Sequence, residues 1–295
     1  MTIKLFYVGS KGTNFGDSIN PLLFERVLDT KVQRAYPTFC DVVGVGSLMQ
    51  ALTFSYICRN KKFLYFYKYN QKPAITMGTG FMFNNEISFL DKFYRPINPY
   101  IIRGKLSHQK LEKMNKKQYQ VAAYGDLGLL FPYLLEKTLS KKYSLGIIPH
   151  KSDFKNPHIQ KLSEQNQRSI LLDLRNDPIE VLKQIAQCET VISSSLHGLI
   201  VADALNIPNK RIKLSNHGFS KNIDFKFDDY YSIFDCDTPE CIDLLASYKD
   251  ESFYDLLTPD VIANDYKMDF TKVQQLQNNL LIKAKNLPEI INASR

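Results

Sequence analysis

The chain has 295 residues, of which 44% are hydrophobic and 12% aromatic. This is enough apolar material to build one large core or two cores of ordinary size, so disorder is excluded as the main state. Lys and Arg number 38 against 30 Asp and Glu, a formal net charge of +8. An anionic partner is therefore expected, whether nucleic acid, an anionic membrane surface or an anionic substrate.

The sequence indicates a cytoplasmic protein without a metal centre. Its longest nearly uninterrupted apolar stretch, residues 127–135, is too short to span a bilayer and contains Gly128 and Pro132. The N-terminus lacks the basic start and long apolar run of a secretory signal and is interpreted as a first strand. The five cysteines form no Cys-x-x-Cys pair and no Cys/His cluster with metal-ligand spacing, so we expect free thiols and no metal.

Short β-branched or aromatic runs alternate with helical patterns along the chain, which predicts α/β layers with mostly parallel sheets. In the first half, a helix is predicted at residues 19–28 and strands at residues 3–8, 41–45, 73–77, 99–103 and 120–123. In the second half, strands are predicted at residues 145–148, 169–172, 190–193 and 210–214. An amphipathic helix is predicted at Phe270–Lys285, packed on the domains.

A basic, polar link near residues 138–143 separates the two series of strands. We expect two Rossmann-like domains that face a central cleft, at residues 1–140 and 141–270, followed by a C-terminal helix and tail at residues 271–295. Ligands in such folds bind beyond the carboxyl ends of the strands, where Gly, Ser, Asp and His cluster in this sequence.

The excess of positive over negative charge lies in the first half of the chain. Residues 1–140 carry 19 Lys and Arg against 9 Asp and Glu, a net charge of +10. Residues 141–295 carry 19 against 21, a net charge of −2. The two halves are therefore electrostatically distinct.

The first candidate site is a turn, beginning at Gly12, between the first predicted strand and the first predicted helix. Asp17 or Ser18 can cap that helix, and Pro21 suits its first turn. A carboxylate at the carboxyl end of a strand also faces the expected cleft. Asp17 is therefore a candidate general base, and one side chain could serve both purposes.

The second candidate site is a strand that ends in Ser193, Ser194 and Ser195 and runs into a helix near His197. Hydroxyls and free backbone N–H groups converge at such a helix N-terminus and form an anion site. The helix N-terminus alone disfavours a protonated imidazole, whereas a bound phosphate and carboxylate favour it. His197 is thus a candidate proton donor that acts only with an anionic substrate; the alternative is a histidine bonded within a turn.

Other polar residues follow predicted strands. His150 and Lys151 could bind phosphate or form a solvated turn. Arg103 follows a short apolar strand, and its planar guanidinium can pair with a carboxylate or a phosphate. Asp126 either caps the next helix, which we favour, or takes part in catalysis.

The strong cofactor fingerprints are missing. Gly78-Thr-Gly80 lacks the rest of a dinucleotide loop. The sequence has no Walker-type Gly-Lys-Ser/Thr, no nucleophile elbow and no His-Glu-x-x-His. We therefore expect no cofactor.

Taken together, these motifs resemble the polysaccharide pyruvyl transferase family. The resemblance runs from about residue 3 to about residue 215, and its last block is the most specific. The matching blocks, in the family's order, are Asn14-Phe-Gly-Asp17-x-Ile-Asn-Pro, Gly46-Ser47, Gly78-Thr-Gly80, Arg103-Gly104, Gly125-Asp126, Ile148-Pro-His150 and Ser194-Ser195-Leu-His197-Gly-Leu-Ile-Val-Ala-Asp203-Ala-x-x-Ile-Pro. The resemblance implies a GT-B-like fold of two Rossmann-type domains. It also implies phosphoenolpyruvate as donor and, as acceptor, a sugar of a surface polysaccharide, often lipid-linked.

The family chemistry requires an acid, cationic partners for a phosphate and a carboxylate, and a base. The methylene carbon of phosphoenolpyruvate is protonated, one sugar hydroxyl adds, phosphate leaves, and a second hydroxyl closes a cyclic ketal. We expect His197 as the acid and Asp17 as the base. Binding of the donor is assigned to Arg103, Ser193, Ser194, Ser195, His150 and Lys213. Binding of the acceptor is assigned to Asn14 and Asp126. Phosphoenolpyruvate is expected as a co-substrate, with no metal and no cofactor.

Two other functions fit parts of the sequence. A nucleotide-sugar glycosyltransferase could share the same architecture. A basic module for nucleic acid or anionic glycans would explain the charge, but the chain has no Trp and no arginine-rich or aromatic-interleaved basic stripe. We instead expect the basic first half, including Lys61-Lys62 and Lys116-Lys117, to meet a lipid-linked diphosphate or the anionic inner face of the membrane.

Overall fold

Two parallel β-sheets with helices packed against them form the framework of the protein. The computed structural model describes residues 2–9, 15–59, 72–84, 91–215, 223–234, 238–245 and 251–294. Every strand pair within the two sheets is parallel. The predicted α/β class with two mostly parallel sheets is therefore confirmed, and this arrangement is consistent with the predicted GT-B-like fold.

The first sheet has the strand order β2-β1-β3-β4-β5-β6. Its strands are β1 (Ile3–Phe6), β2 (Val32–Arg34), β3 (Val42–Val43), β4 (Ala74–Thr79), β5 (Ile97–Ile102) and β6 (Ala123–Tyr124). All six residues of β4 are buried, as expected for a central strand that is covered on both faces. β2 was not predicted, because its residues form a short, largely exposed edge strand without an apolar run.

The second sheet has the strand order β11-β10-β9-β7-β8. Its strands are β7 (Tyr143–Ile148), β8 (Ser169–Leu171), β9 (Cys188–Ser193), β10 (Asn209–Lys213) and β11 (Cys241–Asp243). The four predicted strands of this half are confirmed, and β11 is an additional edge strand.

The predicted helix at residues 19–28 is wrong in its start and its continuity. The structure forms α1 (Phe15–Ser18), α2 (Asn20–Leu22) and a π-helical turn (Leu23–Val27). The side chain of Asn20 accepts a hydrogen bond from the Val45 N–H at 2.7 Å and donates to the Gly16 carbonyl at 3.0 Å. These bonds fix α1 against the carboxyl end of β3.

The remaining α-helices cover the two sheets and the region between them. They are α3 (Phe54–Arg59), α4 (Lys105–Asn115), α5 (Pro157–Gln165), α6 (Pro178–Ala186), α7 (Leu196–Ala204), α8 (Phe225–Tyr231), α9 (Pro259–Asp265), α10 (Phe270–Lys285) and α11 (Leu287–Ala293). In the part of the chain that the structure describes, 3-10 helices lie at Met49–Leu52, Leu127–Leu134 and Glu251–Leu257. Within the described ranges, none of these helices is long and apolar enough to cross a bilayer.

Helix α10 has the predicted bounds and packs against both halves of the chain. The side chain of Gln277 donates to the carbonyls of Leu129 at 2.9 Å and Ala204 at 3.1 Å. Leu280 packs against Gly125 so closely that a Cβ on this glycine would lie 2.6 Å from the leucine side chain. One continuous hydrophobic core contains residues of both sheets. The predicted domain limits at residues 140 and 270 remain a prediction.

Candidate active site

The carboxyl ends of strands from both sheets meet around the N-terminus of α7. β9 leads through Ser194 and Ser195 into α7, which places His197 in its first turn. A Cβ added to Gly16 of α1 would lie 2.0 Å from His197 Nδ1, so this glycine allows α1 to contact the imidazole. The ring of Phe131, from the other half, stacks on His197 with a centroid distance of 6.4 Å.

His197 faces Asp126 across the junction of the two halves. Asp126 ends the segment after β6 and caps the 3-10 helix Leu127–Leu134, because its Oδ1 accepts the Gly128 N–H at 2.8 Å. The cap predicted for Asp126 is thereby confirmed. Its second oxygen, Oδ2, lies 4.0 Å from His197 Nε2.

Three buried polar atoms around α7 have no hydrogen-bond partner in the part of the chain that the structure describes. They are Asp126 Oδ2, His197 Nε2 and Ser195 Oγ. Buried polar groups are nearly always satisfied, because an unmade hydrogen bond costs about 1–3 kcal/mol. A cluster of unsatisfied buried polar atoms is typical of a site that binds a polar ligand.

At this site the pKa values of Asp17 and Asp126 are raised and that of His197 is lowered. Each of these shifts favours the neutral form of the side chain. Burial, together with the positive charges of Lys226 and Arg103, lowers the pKa of His197 to about 3. Burial raises the pKa of Asp126 to about 7 against the opposing effect of Arg103. Desolvation likewise raises the pKa of Asp17 to about 7, although Lys151 and Lys226 oppose it.

Asp17 lies within α1 instead of capping a helix, so the predicted cap at this residue is wrong. Its carboxylate points toward the carboxyl end of β3, since a Cβ on Gly46 would lie 3.1 Å from Asp17 Oδ1. Adjacent Gly16 contacts His197. Asp17 is therefore the next residue after the one that contacts the imidazole, and the charges of Lys151 and Lys226 act on its carboxylate.

The serine hydroxyls differ in their availability to a ligand. Ser193 Oγ donates to the Ile148 carbonyl at 2.9 Å and accepts the Ser195 N–H at 3.0 Å. Ser194 Oγ donates to Asp153 Oδ2 at 2.7 Å. These two hydroxyls hold the turn in place, whereas Ser195 Oγ is buried and has no hydrogen-bond partner among the described residues.

Arg103 is fully buried and already paired within the protein. Its Nε lies 2.9 Å from Asp229 Oδ2, Nη1 donates to Ser47 Oγ at 2.7 Å, and Nη2 donates to the Phe81 carbonyl at 2.5 Å. Asp229 also accepts hydrogen bonds from the backbone and the hydroxyl of Ser107, each at 2.6 Å. The pair ties α8 to the first half of the chain, and direct donor binding by Arg103 stays a prediction.

The other predicted cations have protein neighbours too. Lys213 Nζ lies 3.3 Å from Asp224 and 3.9 Å from Asp243. His150 follows β7, and its Nδ1 is 2.7 Å from Ser152 Oγ. Asn14 lies outside the described residues. The binding roles assigned to these residues from the sequence stay predictions.

Lys226 of α8 was missed by sequence reasoning. Only 7% of this residue is exposed, and its Nζ lies 5.0 Å from the Phe227 ring. Burial and the charges of Arg103 and Arg211 lower the pKa of Lys226 to about 7, although Asp153 and Asp17 oppose them. The available signal was a lysine between two phenylalanines, but no motif at a strand end pointed to it.

A family model described as polysaccharide pyruvyl transferase matches residues 6–209, more than half of the chain. An uncharacterized protein of Acanthamoeba polyphaga mimivirus is 27% identical over 227 residues, which cover 76% of this chain and 72% of that protein. The succinoglycan biosynthesis protein ExoV of Rhizobium meliloti is 26% identical over 237 residues, 77% of this chain and 64% of ExoV. The crystal structure of a functionally uncharacterized Klebsiella pneumoniae protein is 16% identical and aligns with a TM-score of 0.45 over 81% of this chain and 92% of that one.

Proposed function

The chain belongs to the polysaccharide pyruvyl transferase family, and we propose that it transfers pyruvate from phosphoenolpyruvate onto two hydroxyls of a sugar in a polysaccharide precursor. Phosphate is the second product. The observation that carries the proposal is the group of unpartnered buried atoms at Ser195, His197 and Asp126, two of which lie in the most specific family motif. An adjacent buried lysine, Lys226, provides positive charge for an anionic donor.

Proton transfer to the methylene carbon of phosphoenolpyruvate begins the proposed reaction, with His197 as the donor. His197 Nε2 and Asp126 Oδ2 are 4.0 Å apart, and neither has a hydrogen-bond partner among the described residues, so both keep hydrogen-bonding capacity for a ligand. Without an anion nearby, the pKa of His197, about 3, keeps the imidazole neutral. The negative charges of the bound donor favour the imidazolium, so the histidine becomes an acid only when the donor is in place.

Protonation makes the central carbon electrophilic, and a sugar hydroxyl adds to it while its proton passes to Asp17. The C–O bond to phosphate then breaks with its electron pair on phosphate, and a second hydroxyl adds and closes the ketal. Of the two hydroxyl protons, one balances the proton consumed at the methylene carbon and the other leaves with phosphate. The pKa of Asp17, about 7, suits a group that accepts a proton near neutral pH.

Release of inorganic phosphate from phosphoenolpyruvate tests this function directly. We expect release only when a sugar acceptor, free or linked to a lipid diphosphate, is present. A nucleotide-sugar glycosyltransferase of the same architecture would instead release a nucleoside diphosphate. Phosphate and UDP are therefore assayed in parallel with the same acceptors, and UDP release without phosphate release would contradict the proposal.

The acceptor side of the proposal concerns the basic first half of the chain. We propose that its net charge of +10 serves a lipid-linked diphosphate at the inner face of the cytoplasmic membrane, so that the protein works in the cytoplasm and binds the membrane peripherally. Lys116 and Lys117 are exposed at the end of α4 and can face such a surface. The pair Lys61-Lys62 lies outside the described residues.

Replacing both Lys116 and Lys117 with Gln should weaken binding to anionic vesicles at low salt. Each surface lysine contributes about 1 kcal/mol near an anionic surface, so we expect a loss of roughly tenfold or more. Vesicle sedimentation measures the change. Lys155→Gln with Lys272→Gln is the control, because both lysines are exposed in the second half of the chain. Equal binding by both double variants, or no binding by the wild type, would contradict the membrane proposal.

A further inference from the structure

Helix α8 completes the site from a part of the chain that the family model does not match. The match ends at residue 209, whereas α8 spans Phe225–Tyr231. Asp229 of this helix forms the buried ion pair with Arg103, and Phe225 packs in a core cluster of the first half. The helix is therefore held firmly across the junction of the two halves.

Lys226 lies one helical turn before Asp229, on the same side of α8. Residues of both halves respond to its charge, since Lys226 lowers the pKa of His197 and also of Asp17. Among the described residues its ammonium group has no carboxylate within ion-pair distance, and it lies 5.0 Å from the centroid of the Phe227 ring. A buried ammonium group that lacks a partner is costly, because its hydration is lost without compensation.

The other buried cations near the site have carboxylate partners. Arg103 is paired with Asp229, and Arg211 with Asp224, which also lies 3.3 Å from Lys213. An anionic donor needs cations that are not already neutralised. Of the cations that act on Asp17, Lys151 is exposed, which leaves Lys226 as the buried one.

We propose that Lys226 is an anion-binding residue of this site, with its ammonium group bonded to the phosphate or the carboxylate of the donor. The inference rests on the proposed function, because that function supplies the donor. A bound anion would give Lys226 the partner that it lacks among the described residues. Helix α8 would then position this cation at the junction of the two halves, and the Arg103–Asp229 pair would fix the position of the helix.

Replacing Lys226 with Met tests the proposal, because Met keeps the length of the side chain and removes its charge. We expect the Kd of phosphoenolpyruvate, measured by calorimetry without acceptor, to rise roughly 10- to 100-fold, as for the loss of one charge-assisted hydrogen bond. The melting temperature should stay the same or rise, because an unpaired buried charge is removed. Lys226→Gln is a second variant with the same expected loss of binding.

Lys183→Met is the matched control, since this lysine is exposed on α6 and, within the described ranges, bonds only to Glu180 of the same helix. Inorganic phosphate as a second probe distinguishes the two ends of the donor. Weaker binding of both probes assigns Lys226 to the phosphate, and weaker binding of phosphoenolpyruvate alone assigns it to the carboxylate.

Two results would overturn the inference while leaving the proposed function intact. One is wild-type affinity of both Lys226 variants for phosphoenolpyruvate. The other is a large fall in the melting temperature of both variants, which would make the lysine a structural residue. If the wild-type protein itself bound no phosphoenolpyruvate, the donor assignment and the inference would both fall.

Discussion

Replacing His197 with Gln or Ala should lower kcat by roughly 10²- to 10⁴-fold, the usual contribution of a general acid. The imidazole occupies the junction between Gly16 and Phe131, and its Nε2 is one of the buried atoms without a protein partner. Neither replacement can protonate the methylene carbon. Single-turnover release of phosphate measures the loss, and the Kd of phosphoenolpyruvate should change much less than kcat.

The same variants test the protonation of His197. Its pKa of about 3 means that the free protein holds the neutral imidazole at pH 7, so donor binding must bring a proton with it. Calorimetry in buffers of different ionisation enthalpy should show greater proton uptake for the wild type than for His197→Gln. The control is His158→Gln, because His158 contacts Tyr254 in the second half and lies away from the site. Wild-type turnover by both His197 variants would contradict the assignment.

Replacing Asp229 with Ala should cost about 3–5 kcal/mol of stability, the usual effect of breaking a buried ion pair. Arg103 and Asp229 are both fully buried, so the variant leaves an uncompensated guanidinium in the interior. Ser107 also loses the acceptor of its backbone N–H and of its hydroxyl. Denaturant unfolding measures the change in the free energy of unfolding.

The exposed pair between Arg168 and Glu189 provides the control for this prediction. Its atoms are 3.1 Å apart, but the two side chains are 60% and 44% exposed. Solvent screens such a pair, so Glu189→Ala should change stability little. A loss for Asp229→Ala no greater than that for Glu189→Ala would show that the buried pair does not hold α8 in place.

The central strands of the fold could be predicted because their sequences reflect complete burial. β4 has no exposed residue and β9 has one, which is typical of parallel strands that are covered on both faces. The edge strands β2 and β11 have only three residues each, of which at most one is buried. The helix at residues 19–28 was mispredicted because the buried side chain of Asn20 bonds to Val45, a tertiary contact that periodicity does not reveal.

The residues at strand ends could be predicted in the same way, because parallel strands bring their carboxyl ends to one edge. Asp17, Asp126 and His197 meet around α7 as this rule requires. The sequence does not show which cations are already paired. The partner of Arg103 lies 126 residues further along the chain, on α8, whose placement depends on packing between the two halves.

The reaction assigned to this site is tested most directly by mass spectrometry of the acceptor. Candidate lipid-linked oligosaccharides are incubated with phosphoenolpyruvate and the wild-type protein, and in parallel with His197→Gln. We predict that the wild type adds the mass of one pyruvyl ketal to an acceptor sugar, with one phosphate released for each ketal formed, and that the variant adds almost none. A sugar transferred from a nucleotide donor in place of the ketal, or an equal yield of ketal from the variant, would contradict the account.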